Sequence, residues 1–355
     1  MDIYVLNKQF QQVAVIDSFV SVIWTTRYFT AGDFELYLQA EKGLLDVLKE
    51  GYYAVREKDM DATGKMKNVM IIEAREIVTD AENGDNLIIT GKCLKSILRR
   101  RVVSEQTVLQ GTVLNCLKQL VNESIINPTV SARQISNFAF GADTFTDTTK
   151  LKKQITGANL ADTFEEICTS YGIGYDIYLQ GGTFYLYFYK GVDRSYAQST
   201  NAHVVVSESF DNLLSSDYKQ SKEDFANVAY VAGEGEGNER KKTMVGTASG
   251  LDRYETWVDA RNSSSNEGEI SDAEYLAMLA ADGQEAIAER NVETMLSGEI
   301  INGVSFQIDD DYFLGDIIQF ENNYGISAAT RIIEVIYNED ETGVNVIPTF
   351  AEMEV

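Results

Sequence analysis

The segment Arg27–Ala40, RYFTAGDFELYLQA, constrains the fold more than any other stretch of the chain. Phe34, Leu36 and Leu38 fall on one face of an extended chain, and Glu35, Tyr37 and Gln39 on the other. A period of two is the pattern of a strand that buries one face. Ala31-Gly32-Asp33 ahead of it reads as a turn, with Gly32 free to take positive φ. A partner strand precedes the turn at Phe19–Phe29 and carries Trp24, Arg27 and Tyr28. The pair is a hairpin that needs further strands to complete a sheet.

The first 103 residues supply them. Ile3–Asn7, Gln11–Ile16, Tyr52–Glu57, Val69–Val78 and Asn86–Thr90 read as strands, with a short helical turn at Leu44–Leu48. Ala62-Thr63-Gly64-Lys65 and Glu82-Asn83-Gly84-Asp85 separate them, the second with the Asn-Gly pair that favours hairpins. Seven short strands and little helix predict a barrel or sandwich. Gly91–Val103 then changes character. Its five cations, Lys92, Lys95, Arg99, Arg100 and Arg101, come with no acid, and Lys92, Lys95 and Arg99 share one face of a helix. Pairing with carboxylates of a neighbouring domain or subunit fits this segment, and a plain solvated face fits almost as well.

Residues 104–200 read as α/β. Val113, Leu114, Leu117, Leu120 and Val121 form a helical stripe. A second helix is expected between an N-cap at Asn159 and a C-cap at Gly172, burying Leu160, Phe164, Ile167 and Cys168. An aromatic hairpin follows, Ile173–Leu179 and Thr183–Tyr189 about the turn Gln180-Gly181-Gly182. His203–Ser207, Phe225–Ala232 and Lys241–Thr247 return to strand. Ser271 and Glu274 are spaced as a capping box that opens a helix running to about Met295. From Glu299 onward the chain is strand again: Gly303–Ile308, Asp316–Phe320, Ala328–Tyr337 and Val344–Phe350.

Charge excludes some functions. The net charge is −25, and Glu299–Val355 holds twelve acidic residues against one basic residue, Arg331. Such a chain repels phosphate and is no stand-alone DNA binder. No apolar run reaches the roughly 20 residues a membrane helix needs, and MDIYVLNKQF lacks the pattern of a secretory signal. Cys93, Cys116 and Cys168 are widely spaced and read as buried free thiols of a reducing compartment.

Catalytic constellations are sparse. Asp59-Met60-Asp61-Ala62-Thr63-Gly64 opens like a calcium loop, but its twelfth position is Met70 where a bidentate Glu is needed. Gly91-Lys92-Cys93 and Gly233–Gly237 fail the phosphate-loop and dinucleotide patterns. His203 stands alone, so every multi-histidine metal site is excluded. Asp309, Asp310, Asp311 and Asp316 form the densest carboxylate cluster, and a solvated acidic rim explains it better than glycosidic chemistry. The aromatics of Tyr175–Tyr189 suit a carbohydrate platform less well than core and interface. No cofactor is expected.

Three groups of residues carry a family resemblance. The run Trp24…Arg27-Tyr28…Gly32-Asp33-Phe34-Glu35-Leu36 resembles the hub domain of siphophage tail-tip proteins, the tail-associated "Tal" class. Gly91…Leu94…Leu98-Arg99-Arg100-Arg101-Val102-Val103 is similar to the end of that family's first domain. Leu314-Gly315-Asp316, Gly325-Ile326, Arg331-Ile332…Glu334-Val335 and Pro348-Thr349-Phe350 resemble its close. The resemblance implies a mainly β fold with α+β insertions, related to the baseplate hub of contractile tails. Two small antiparallel barrels are expected, residues 1–103 and residues 205–247 with 300–355. An α/β accessory domain (104–204) and a helix-containing insert (248–299) would decorate them. The implied function is structural, not enzymatic: a homotrimeric ring in the virion, assembled in the host cytoplasm. It would close or line the DNA channel without gripping DNA, and would join the distal tail and tape-measure proteins to receptor-binding or tail-fibre proteins. Cell-wall cleavage or receptor binding, which many members carry in a longer C-terminal region, is expected to reside in another protein. A cell-wall hydrolase and a carbohydrate-binding module are the alternatives. With Phe34, Leu36 and Leu38 turned inward, Arg27, Asp33 and Glu35 become candidates for subunit contacts, together with Arg99, Arg100 and Arg101. Asp309, Asp310, Asp311 and Asp316 become candidates for an acidic channel wall.

Overall fold

The computed structural model describes residues 1–80, 84–265, 270–301 and 304–352. The first region holds β1 (Ile3–Leu6), β2 (Gln12–Ile16), β3 (Ser21–Arg27), β4 (Asp33–Gln39), the short helix α1 (Lys42–Val47), β5 (Tyr53–Arg56), β6 (Met70–Asp80) and β7 (Gly84–Cys93). A 3-10 helix, Leu94–Arg100, closes it. The middle region holds β8 (Thr107–Thr112), α2 (Val113–Val121), β9 (Phe138–Phe140), β10 (Lys150–Ile155), α3 (Leu160–Tyr171), β11 (Gly174–Gln180) and β12 (Thr183–Tyr189). The last region holds β13 (Val205–Ser207), β14 (Leu213–Ser221), β15 (Val228–Ala232), β16 (Lys242–Val245), β17 (Glu255–Asp259), α4 (Asp272–Ala288), β18 (Glu293–Ile300), β19 (Ile317–Glu321), β20 (Ser327–Asp340) and β21 (Gly343–Glu352). Among the described residues no helix is long and apolar enough to cross a membrane.

The chain is mainly β, but its strands do not close into two barrels. Thirteen of them form one sheet along the path β14-β18-β21-β20-β3-β4-β7-β6-β5-β1-β2, with β13 and β19 attached beside β20, and the rest form the small sheets β10-β8, β11-β12-β9 and β16-β15-β17. The reason is the antiparallel ladder between β20 and β3, which runs from Glu334↔Arg27 to Asp340↔Ser21. It merges the strands of the two ends into one sheet. They also share one core, in which Ile3, Trp24, Phe34 and Leu36 meet Ile318, Phe320, Val335 and Phe350.

Local rules explain the elements that the pattern foretold. In β4, Phe34, Leu36 and Leu38 are buried and alternate with half-exposed neighbours. Gly32 serves that turn by close approach rather than by positive φ: a Cβ there would lie 2.0 Å from the Thr25 carbonyl oxygen. Adjacent apolar pairs have a second meaning. Val5-Leu6, Ala54-Val55 and Ile71-Ile72 each split between two cores, one facing the shared β core and one facing the α/β region. These strands are buried on both faces, which erases alternation. Asn159 caps α3 by accepting from Ala161 N at 2.9 Å, and Gly172 ends it at φ 59°. Ser271 and Glu274 form the capping box of α4.

Four expectations change. Lys92, Lys95 and Arg99 do not share a helical face, because Lys92 lies in strand β7, which ends at Cys93, and the segment after it winds as a 3-10 helix that buries Lys95. Helix α4 stops at Ala288, and the residues up to Ile300 pair with β14 and β21 instead. Strand β14 is absent from the expectation because Ser215-Ser216-Asp217 carries no apolar alternation. The strand expected at Gly303–Ile308 falls partly outside the described residues, and Ile308 makes only a bridge to Tyr312. Part of the Glu82–Asp85 turn also lies outside them, at 81–83, although Asp80 and Gly84 pair across it.

Tyr28 ties the three regions together. It is fully buried. A Cβ on Gly174 of β11, or on Gly315 ahead of β19, would lie 2.2 Å from its ring. The hydroxyl lies 3.3 Å from the carbonyl oxygens of Gly172 and Tyr189 and accepts from Gly191 N at 3.3 Å. Tyr189 packs edge-on at 5.2 Å, and the Arg331 guanidinium lies 5.4 Å from the ring. The insert is tied by charge. Lys153 on β10 pairs with Glu166 on α3 and, at 2.7 Å, with Glu285 on α4. Two acids share one lysine. Burial pushes the Glu285 carboxyl up to about 7, with Lys153 opposing and Glu166 reinforcing the shift.

Gly174→Ala and Gly315→Ala should each destabilise the fold by at least about 1–3 kcal/mol, since a methyl must displace a packed ring. Gly315→Ala should cost more, because φ there is +95°. Gly43→Ala, where nothing lies within 4 Å, should be neutral or stabilising. Urea unfolding read by tryptophan fluorescence distinguishes these outcomes. A second expectation concerns pH. Glu285 holds its proton more tightly folded than unfolded, so its contribution is greatest below about pH 4.3. It is lost as pH rises toward the folded value of about 7. Hydrogen exchange of α4 amides should therefore quicken across that interval. Glu285→Gln, which copies the neutral form, should flatten the dependence.

Candidate functional site at the seam between the two ends of the chain

The ladder between β3 and β20 places a row of charged and aromatic side chains where the first, middle and last regions meet. Arg27, the last residue of β3, is forked. Its Nη1 reaches Asp33 at 2.7 Å and the Ala31 carbonyl at 3.0 Å, and its Nε pairs with Glu334. Burial opposes its charge, but Asp33 and Glu334 outweigh burial and hold the guanidinium pKa above its usual value. Behind it Lys95 is 4% exposed, and its Nζ donates to the carbonyls of Arg27 and Tyr28. Burial pushes the Lys95 pKa down, and nearby Asp176 resists the shift. Burial pushes the Asp176 carboxyl up, and Lys95 opposes it.

A cation–aromatic stack crosses the same seam. The Arg56 guanidinium, 1% exposed, lies between Trp24 at 5.1 Å and Tyr337 at 4.8 Å and pairs with Asp59. Lys58 covers the Tyr337 ring at 3.9 Å. The Tyr337 hydroxyl donates to Asp309 at 2.6 Å, while burial pushes its own pKa well up. Cations stacked on rings away from water are worth about 2 kcal/mol or more each.

The four carboxylates of the acidic cluster separate in the structure. Asp309, with φ of +73°, also holds Lys58 at 3.2 Å. Asp311 caps its own loop by accepting from Gln307 N at 2.7 Å. Asp310 borders an open cleft. Asp316 is 2% exposed and fully engaged: Oδ1 accepts from Val192 N at 2.7 Å, and Oδ2 from Arg194 Nε at 2.8 Å and Phe313 N at 3.1 Å. Asp316 is therefore a structural ion-pair residue and offers no surface to a channel.

The cleft, of about 910 Å³, opens between β3, the loop at residues 58–68, β12 and residues 307–316. Its charged residues are of mixed sign, with Lys67, Lys190, Asp59, Asp61 and Asp176 among its walls. Its cations already have work inside the subunit, as Lys58 and Lys95 show, and Lys65 lies 4.0 Å from the Tyr178 ring. The cleft joins the regions.

The basic segment spreads out. Arg99 is exposed and pairs with Glu73 on β6. Arg100 is exposed. Arg101 donates to the Arg133 carbonyl from Nε at 3.0 Å and from Nη2 at 2.7 Å, so it fastens the next region. Near Arg99, a shallow groove of about 440 Å³ is bordered by Asp33, Glu35, Glu73 and Lys92. The structure thus pairs Arg27 with Asp33, and Asp33 and Glu35 border the same charged groove.

Other candidates have ordinary roles. Asp61 Oδ1 accepts from Thr63 N at 2.8 Å and Lys65 N at 3.1 Å, which is a turn stabilised by its own side chain. His203 is exposed, with Nε2 at 2.9 Å from the Gln198 carbonyl. Tyr175, Phe184 and Phe188 are core residues, while Tyr178 and Tyr185 stack outside at 5.1 Å. Cys93, Cys116 and Cys168 are buried free thiols. In the sequence Lys95 is marked only as a member of the basic segment, and Arg56 and Tyr337 carry no site signature. A charged residue ending the run Ala54-Val55-Arg56 was the one available signal.

Solved structures share this fold. The tail protein of Neisseria meningitidis MC58 superposes with a TM-score of 0.54 at 14% identity, covering 99% of this chain and 96% of that one. The 43 kDa tail protein of prophage MuSo2 from Shewanella oneidensis gives 0.58 at 12%, with 99% and 98% covered. The prophage tail protein gp18 of Listeria monocytogenes EGD-e gives 0.52 at 10%, with 100% and 96% covered. No curated protein matches the chain in sequence. The resemblance to siphophage tail proteins read from its two ends holds: residues 2–350 match the siphovirus ReqiPepy6 Gp37-like proteins, and the chain belongs to that family.

Proposed function

We propose that this protein is the structural hub of a phage tail tip. Three copies form a ring that surrounds or closes the DNA channel. The observation that carries the reading is the β3–β20 ladder, which builds the two ends of the chain into one body around a shared sheet and core. A body of that kind suits a repeated ring element better than an enzyme with a mobile active site. The likeness in fold to phage tail proteins supports the same reading. In the ring, the sheet shared by the two ends of the chain is the ring element. Residues 104–204 and the sheet β16-β15-β17 with α4 decorate it, and the ring links distal tail and tape-measure proteins to the host-recognition apparatus.

Charge refines the proposal. Arg27, Asp33 and Arg101 are engaged within the subunit, and Arg99 meets Glu73 only at an exposed edge, so the subunit contact falls to Glu35, Arg99 and Arg100 around the charged groove. Asp310 and its exposed neighbours line the DNA path, where like charge keeps the nucleic acid sliding. Such a protein needs no catalytic activity of its own.

Imaging of the purified chain should show a threefold ring with a central hole. A particle that stays monomeric at high concentration would overturn the reading. Arg99→Glu combined with Arg100→Glu should weaken ring assembly severalfold and leave the melting temperature of the subunit nearly unchanged, because both side chains are exposed.

A further inference from the structure

The insert carries a three-stranded sheet in the order β16-β15-β17. One face packs on α4: Ala229 and Val231 meet Tyr275 and Leu279. The other face presents a single transverse row. Met244, Tyr230 and Trp257 are register partners across the three strands and are 49%, 38% and 56% exposed. Charges border the row on both sides. Arg240 lies 5.9 Å from the Trp257 ring and pairs with Asp259. Arg253 lies 5.7 Å from the Tyr230 ring, donates to its hydroxyl at 2.9 Å and pairs with Glu255.

We propose that this row binds a neutral oligosaccharide. Size argues for a small ligand. Three strands spaced about 4.8 Å apart make a row about 10 Å long, and it is one side chain wide. A stable protein interface needs about 800 Å² from each partner. Charge argues for a neutral one. An anion would face Asp259 and Glu255, and a cation would face Arg240 and Arg253. Sugar hydroxyls both donate and accept, so both signs serve them. The rings complete the match, since the electron-rich faces of Trp257 and Tyr230 attract the C–H faces of a pyranose. The site is separate from the seam and does not depend on the hub reading.

The chain has two tryptophans, and Trp24 is fully buried. Acrylamide quenching of the full-length protein therefore reports on Trp257. Neutral gluco-, galacto- and N-acetylglucosamine oligosaccharides are the probes. At least one should lower the quenching constant severalfold, and polyglutamate and polylysine should not. Tyr230→Ala should abolish the protection, judged against that variant's own sugar-free quenching. Failure of every oligosaccharide to protect would overturn the proposal. So would equal protection in Tyr230→Ala. Protection that grows with protein concentration alone would also overturn it, and would assign the row to contact between copies.

Discussion

The ladder between β3 and β20 is the interaction on which the rest of the structure depends. It joins residues roughly 310 positions apart, and forming it closes nearly the whole chain into one loop. Backbone hydrogen bonds set its direction and register, but one tyrosine locks its surroundings. Tyr28 follows β3 directly and fills the space left by Gly174 and Gly315, which come from different regions. Loss of that fit would separate the α/β region from the sheet and would release the Arg27 fork, the Lys95 bonds and the Arg56 stack together. Of these, the buried Arg56–Asp59 pair is the costliest to break, at about 3–5 kcal/mol for loss of one partner.

Electrostatics divides the labour in an unusual way. The chain has 30 basic residues against 55 acidic ones, and several cations are spent inside. Lys95 satisfies two carbonyls, Arg56 lies between two rings, Arg194 neutralises Asp316 and Lys153 holds two glutamates. Acid is left over for the surface. That arrangement keeps the protein soluble and hostile to stray phosphate, while each internal cation is matched by geometry to its own partner.

Individual residues show where reading the chain reached and where it stopped. The alternation Phe34, Leu36, Leu38, the caps Asn159 and Gly172 and the Ser271–Glu274 box concern neighbours a few positions apart, and each appears in place. Strand β14 was invisible because its polar residues sit on a ribbon that buries little. The end of α4 was misplaced because β14 and β21 claim the following residues for strand. At the seam, Arg27 and Asp33 could be named, since they flank one hairpin. Their third partner, Glu334, and the stack of Arg56 on Tyr337 could not, because no local pattern records a contact between distant strands.

The sequence by itself determined the mainly β character, the α/β middle, the free buried thiols and a family likeness at both ends. These follow from period, capping chemistry and composition, which act over a few residues. Only the tertiary structure decided that the terminal strands share one sheet and one core rather than closing into separate barrels. It also decided that Asp316 is buried while its neighbours stay outside, and that Lys95 and Arg56 serve the interior. The reason is physical. A charge is buried or solvated according to the partners that folding brings to it, and those partners come from strands that meet only when the chain has closed.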